Sequence, residues 1–208
     1  MDTNWAADNL QTIRTLMERS AIYRRALAPV MTFTGSVGIV AAAVAHFLAI
    51  EAVRPFAIYW MCVSLVAIAG DYLLVRRQAL GEKEPFWSPP TRRVTQAIIP
   101  ALFVGLAAGI FFIVWLQNTK LTILLPLIWI LLYGCALHAA GFFMPPRGIR
   151  LFAWAFLIGG CALLLKVAAA PEWPDPAHAN GLMGLFFGAA QLAYGVYLYF
   201  TEQRKNEA

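Results

Sequence analysis

From Ala28 to Ile50 the chain runs without a single Asp, Glu, Lys or Arg. About 20 mostly apolar residues are enough for a helix to cross the hydrocarbon core of a bilayer. Five further stretches have the same length and character, at roughly 56–75, 95–116, 121–144, 150–169 and 180–200. Over the whole chain 61% of residues are hydrophobic and 13% are charged, against about 45–50% and about 25% in a soluble domain. A water-soluble fold of 208 residues has nowhere to bury so much apolar surface. The solvent for most of the chain is therefore lipid. Within lipid each spanning segment must satisfy its own backbone hydrogen bonds, and short segments do so as helices.

The fold class that follows is all-α: a polytopic integral membrane protein with six transmembrane helices in a bundle and an N-terminal amphipathic helix. The expected organisation is an interfacial segment over residues 1–27, one transmembrane domain over 28–200 and a short tail over 201–208. The breaks between spans carry their own punctuation. "EAVRP", "QNTK", "MPPRGIR" and "PEWPDP" are polar or proline-rich, and proline removes a helix donor and clashes with the preceding turn.

The Lys and Arg residues are unevenly placed. If the N-terminus is cytoplasmic, the inner segments hold Arg14, Arg19, Arg24, Arg25, Arg76, Arg77, Lys83, Arg92, Arg93, Arg147, Arg150, Arg204 and Lys205. The outer set is Arg54, Lys120 and Lys166. Thirteen against three is the bias expected when positive loops stay inside, and it places both termini in the cytoplasm. The expected location is the plasma membrane, or the inner membrane if the source is bacterial. The arginine pairs at 76–77 and 92–93 read as anchors for the ends of the second and third spans. The net charge of +5 has the same origin. Nucleic acid is not an expected partner, because no basic soluble domain is present to bind it.

Residues 4–25 place Leu10, Ile13, Leu16, Met17 and Ser20 on one helical face, with Asp8, Gln11, Arg14, Glu18 and Arg25 elsewhere on the wheel. Such a helix can lie on the inner membrane surface, dock on a partner, or continue into the first span as a cytoplasmic extension. It has no apolar core of the kind a cleavable signal peptide needs.

Small residues at spacings of three or four let membrane helices approach closely. Gly181, Gly184, Gly188, Gln191 and Gly195 form such a stripe in the last span. Shorter stripes occur at Ala101, Gly105 and Gly109 and at Thr34, Gly38, Ala42 and His46. Phe186 falls opposite the glycines of the last span and is expected to face lipid. Gln191 is the strongly polar side chain closest to mid-membrane, suited to a ligand or to an interhelical hydrogen bond. Asp71, about 6 Å from the end of a span that stops at residue 75, is expected to pair with cytoplasmic arginines. Lys166 is near enough to the outer end of its span to snorkel.

His46 and His138 invite the idea of a bis-histidine haem. At 1.5 Å per residue they stand about 27 Å and about 9 Å from the inner face, so they are too far apart for one iron. His46 with His178 is a weak candidate metal pair, and no cofactor is predicted. Cys62, Cys135 and Cys161 lie inside apolar runs with no ligand spacing and read as small hydrophobes. Nucleophile elbows, phosphate loops and HExxH are absent from the sequence.

The partners expected are the lipid bilayer, a cytoplasmic protein met through residues 1–25 or 76–93, and a second copy of the chain. The leading functional expectation is a non-enzymatic docking, scaffolding or signalling module. The alternative is a small oligomeric transporter or channel, and the third is a haem- or metal-binding membrane protein.

Overall fold

The structure is a computed structural model that describes residues 27–81, 87, 89–116, 118–144, 147–170 and 175–206. The amphipathic N-terminal helix expected over 4–25 lies outside the described residues. Six helices are long and apolar enough to cross a membrane, and the protein is an all-α polytopic membrane protein. In chain order they are α1 (Leu27–Phe47), α2 (Val53–Gly81), α3 (Pro89–Trp115), α4 (Leu124–Ala140), α5 (Arg147–Ala169) and a composite last span. That last span consists of α6 (Ala177–Met183), a wide π-helical segment (Gly184–Ala190) and α7 (Gln191–Asn206). A 3₁₀ turn, Thr119–Leu121, leads into α4 and is capped by the Asn118 side chain, which accepts from the Lys120 amide.

α4 is the centre of the bundle. Half of its most apolar window is buried inside the protein, against 11% for α2 and for α3, whose outer faces are left to lipid. Leu125, Leu127, Ile130, Ala136 and Leu137 of α4 are all nearly inaccessible. Leu125, Leu127 and Ile130 pack among Phe56 and Trp60 of α2, Phe112 of α3 and Phe156 of α5, while Leu137 packs with Met31 of α1, Ile149 of α5 and Tyr194 of the last span. Cys62, Cys135 and Cys161 are free and exposed on the outer surface of the bundle.

Two helix boundaries depart from the expected spans. α2 continues to Gly81, six residues past the expected stop at 75, because nothing before Gly81 breaks it. Arg76 and Arg77 thus sit on a helix rather than in a loop, and Asp71 lies about 15 Å from the helix end rather than about 6 Å. α3 contains Pro100, which leaves the Gln96 carbonyl without its helical donor and favours a local bend.

α1 and the last span are joined through glycine. A Cβ on Gly188 would stand 2.8 Å from the Ile39 amide nitrogen, and one on Gly184 would stand 2.6 Å from the Ala42 Cβ. From the other side, a Cβ on Gly35 would collide with the Leu192 backbone and one on Gly38 with the Phe187 carbonyl. The two backbones are in contact, and hydrogen is the side chain that fits. Gly181 is not part of this seam: a Cβ there would meet nothing within 4 Å. The π-helical segment carries about one extra residue in its wide turn, which rotates Gly181 off the face that Gly188 and Gly195 share. Phe186 does lie away from the glycine face, but that side is covered by α5 rather than by lipid. Its ring packs edge-on against Phe156 of α5, with centroids 5.2 Å apart, in the gap left by Gly159.

Candidate functional site

A cavity of about 430 Å³ opens between α1, α2, α3, α4 and the last span. That volume falls in the range of pockets that hold small organic ligands. α2 and α3 supply apolar walls through Met61, Leu65, Ile68, Phe103 and Leu106, and α4 supplies Trp129, Leu132 and Tyr133. Leu65 and Phe103 are 65% and 70% exposed, so the mouth of the cavity opens sideways onto the lipid-facing surface. The bend expected at Pro100 lies on the stretch of α3 that borders it, next to Ile99 and Ala101.

The polar groups in this wall are few and come from different helices. The Thr34 hydroxyl of α1 donates its one proton to the carboxyl group of Asp71 on α2, with the two oxygens 2.9 Å and 3.1 Å away. Sequence reasoning paired Asp71 with arginine. The structure gives it a neutral hydroxyl as its partner among the described residues. Gln191 is 1% exposed, and neither its amide nitrogen nor its amide oxygen has a hydrogen-bond partner. The Tyr133 hydroxyl stands near the Gln191 amide and within electrostatic range of Asp71. It does not complete a hydrogen bond to that amide. A buried, unpartnered amide costs about 1–3 kcal/mol. A chain that keeps one at a cavity wall holds a donor and an acceptor ready for something in the cavity.

Several other polar residues inside the bundle have partners. The Trp60 indole donates to the Asn180 side-chain oxygen at 2.9 Å, and the Asn180 amide donates to the Ile50 carbonyl at 2.8 Å. The Thr122 hydroxyl donates to the Thr119 carbonyl at 2.7 Å and lies 3.1 Å from the Glu51 carbonyl. Trp129 Nε1 donates to the Gly105 carbonyl at 2.9 Å, which uses the small residue of the α3 stripe as a backbone acceptor. The Tyr59 hydroxyl donates to the Ala41 carbonyl at 2.7 Å.

The histidines are spread apart from the cavity. His46 is exposed near the end of α1, edge-on to Phe47 at 6.1 Å. His178 is exposed at the start of α6, with Nδ1 3.3 Å from the Asp175 carbonyl. His138 lies between Phe142 and Trp154, with ring centroids at 5.3 Å and 5.5 Å, and its buried Nδ1 has no partner. Among the described residues no group of three or more His, Cys, Asp or Glu side chains is arranged to hold a metal ion.

Of the residues singled out in the sequence, Gln191 and Asp71 meet at the cavity, while Gly184 and Gly188 back it through the seam with α1. His46, His138 and His178 take no part in its wall. Tyr133 and Thr34 complete the polar set. Thr34 is visible in the sequence only as a small residue of a stripe, and Tyr133 only as one aromatic in an apolar run. A hydroxyl inside a span is the signal that could have found them. No known protein-family model, no curated protein and no solved structure matches this chain.

Proposed function

We propose that this protein binds a small, largely apolar molecule from within the bilayer and acts as its carrier or receptor. The observation that carries the reading is Gln191: a fully buried amide with both polar atoms unpartnered, set in the wall of a lipid-facing cavity. In lipid an unpaired polar group is expensive, and such residues are functional candidates by default. The apolar walls supply affinity, and the few polar atoms orient the guest, as in other small-molecule sites.

A second, compatible reading follows from α2. That helix runs without interruption from Asp71 in the cavity wall to Arg76 and Arg77, which are exposed beyond it. On the thirteen-to-three charge bias we place this basic end, and both chain ends, in the cytoplasm of a plasma membrane, or of the inner membrane in a bacterium. A cytoplasmic protein meeting residues 76–93 or 1–25 would then dock at one end of a helix whose other part touches the ligand. This is the docking or signalling module favoured by the sequence, with the cavity as its input.

The test is to fill the cavity. Ala67 and Ala101 both line it, and neither is tightly enclosed. A double variant, Ala67→Phe with Ala101→Phe, is expected to keep its thermal stability in detergent. The parent protein, purified from membranes and extracted with organic solvent, is expected to release a small molecule that the filled variant does not. Identical extracts from the two proteins would refute the binding site.

A further inference from the structure

We infer that the guest of this cavity is a lipophilic organic cation; the inference rests on the binding reading above and adds the sign of the charge. Among the described residues, Asp71 is the one acidic side chain of the wall, and no Lys, Arg or His lines the cavity. The Thr34 hydroxyl lies against both carboxyl oxygens, which fixes their direction and brings no positive charge. Arg76 and Arg77, five and six residues further along α2, are exposed outside the cavity.

A carboxylate in a low-dielectric pocket is costly to ionise without a counter-ion. A cation entering the pocket offsets that cost, whereas an anion would add to it. The remaining wall suits the same sign. Trp60, Trp129, Tyr133 and Phe187 present aromatic groups to the space, and aromatic faces attract cations most strongly where water is excluded. The unpartnered Gln191 oxygen adds a neutral acceptor. Lipophilicity follows from the entrance: its border includes Leu65 and Phe103, which face lipid, so the guest arrives by partitioning into the bilayer first.

Tetraphenylphosphonium and tetraphenylborate are nearly the same shape with opposite charge, and triphenylmethanol is a neutral relative. Saturable binding of each to the full chain in detergent, measured by equilibrium dialysis, separates the readings. The expected result is that the phosphonium binds at least tenfold tighter than the alcohol, with no saturable borate binding. Asp71→Asn keeps the side chain's size and an oxygen for Thr34. It should cost the phosphonium tenfold or more and leave the alcohol unchanged, while Asp71→Glu keeps the preference. Should Asp71→Asn fail to fold, the ranking of the three probes on the parent protein decides alone. Equal binding of cation and alcohol, or tighter binding of the borate, overturns the charge assignment while the cavity reading stands. Phosphonium binding that persists in the Ala67→Phe, Ala101→Phe variant would place the cation elsewhere and overturn the inference. Absence of binding by all three probes to the parent removes both readings.

Discussion

The two halves of the bundle treat their polar groups differently. In the half that contains Ile50, Thr122 and Asn180, buried polar side chains are matched. Asn180 receives from Trp60 and gives to Ile50, and Thr122 ties the turn before α4 to the turn before α2. In the half toward the basic segments, the buried polar atoms without partners are those of His138, Gln191 and Tyr194. Both halves are built from the same six helices, so helix packing alone does not explain the contrast. A matched network holds helices in one arrangement, whereas Gln191, the one of these three in the cavity wall, keeps a capacity to bind. The comparison teaches that the surroundings of Asn180 form a clamp and those of Gln191 a receptacle.

The comparison breaks first at the seam the halves share. Gly188→Leu drives a side chain into the α1 backbone at Ile39, and overpacking of this kind costs about 1–3 kcal/mol, occasionally more. Because backbone rather than a flexible side chain is the obstacle, the upper part of that range is expected. Leu185, 55% exposed on the same span, is the control, and Leu185→Ala should cost much less. Thermal unfolding in detergent gives both values. Equal effects would mean that the seam is not a close contact.

The next effect sharpens the contrast itself. Asn180→Leu strands the Trp60 indole N–H and the Ile50 carbonyl, at a cost of about 1–3 kcal/mol. Gln191→Leu strands nothing, so its stability should stay within about 0.5 kcal/mol of the parent or rise, while ligand recovery falls. Interhelical hydrogen bonds in membranes average about 0.6 kcal/mol, so the lower part of the range for Asn180 is the stricter test. If the two variants lose the same stability, Gln191 is partnered and the division into clamp and receptacle fails.

The smallest effect concerns the turn that Asn180 holds. α1 ends with Ala49 at φ 49° and with the Ile50 amide donating to the Ala45 carbonyl at 2.9 Å, a closure in which glycine is the usual residue. A left-handed conformation costs a residue with a Cβ about 1–2 kcal/mol. Ala49→Gly should therefore gain about 1 kcal/mol or less, after the entropy that glycine loses on folding. The gain should shrink in the Asn180→Leu background, where the turn is no longer fixed. Full additivity of the two changes would show that the clamp and the turn are independent.

The spans were legible in the sequence because crossing lipid imposes both length and apolarity, and each can be read residue by residue. Gln191 and Asp71 stood out for the same reason: a polar group inside an apolar run is visible without a structure. Partners were not legible. Trp60 and Asn180 are 120 residues apart, and no local pattern says that they touch. The extension of α2 past residue 75 was obscured by Arg76 and Arg77, which look like a loop boundary but are good helix formers. The wide turn at Gly184–Ala190 changed which residues share a face, and a wheel drawn at 3.6 residues per turn assumes that no such turn exists. The cavity is the hardest feature to foresee, since it is defined by atoms that several distant helices fail to supply.

The glycine seam also sets an order of events in synthesis. Gly38 and Gly188 meet face to face, yet 150 residues separate them along the chain. At about 5–20 residues per second, α1 waits roughly 8–30 s for the helix that fits its notched side. Throughout that interval four other spans are being threaded beside it, none carrying the stripe that matches. α1 can settle early against α2, through Thr34 with Asp71 and Ala41 with Tyr59, but its glycine face stays uncovered until the last member of the bundle arrives.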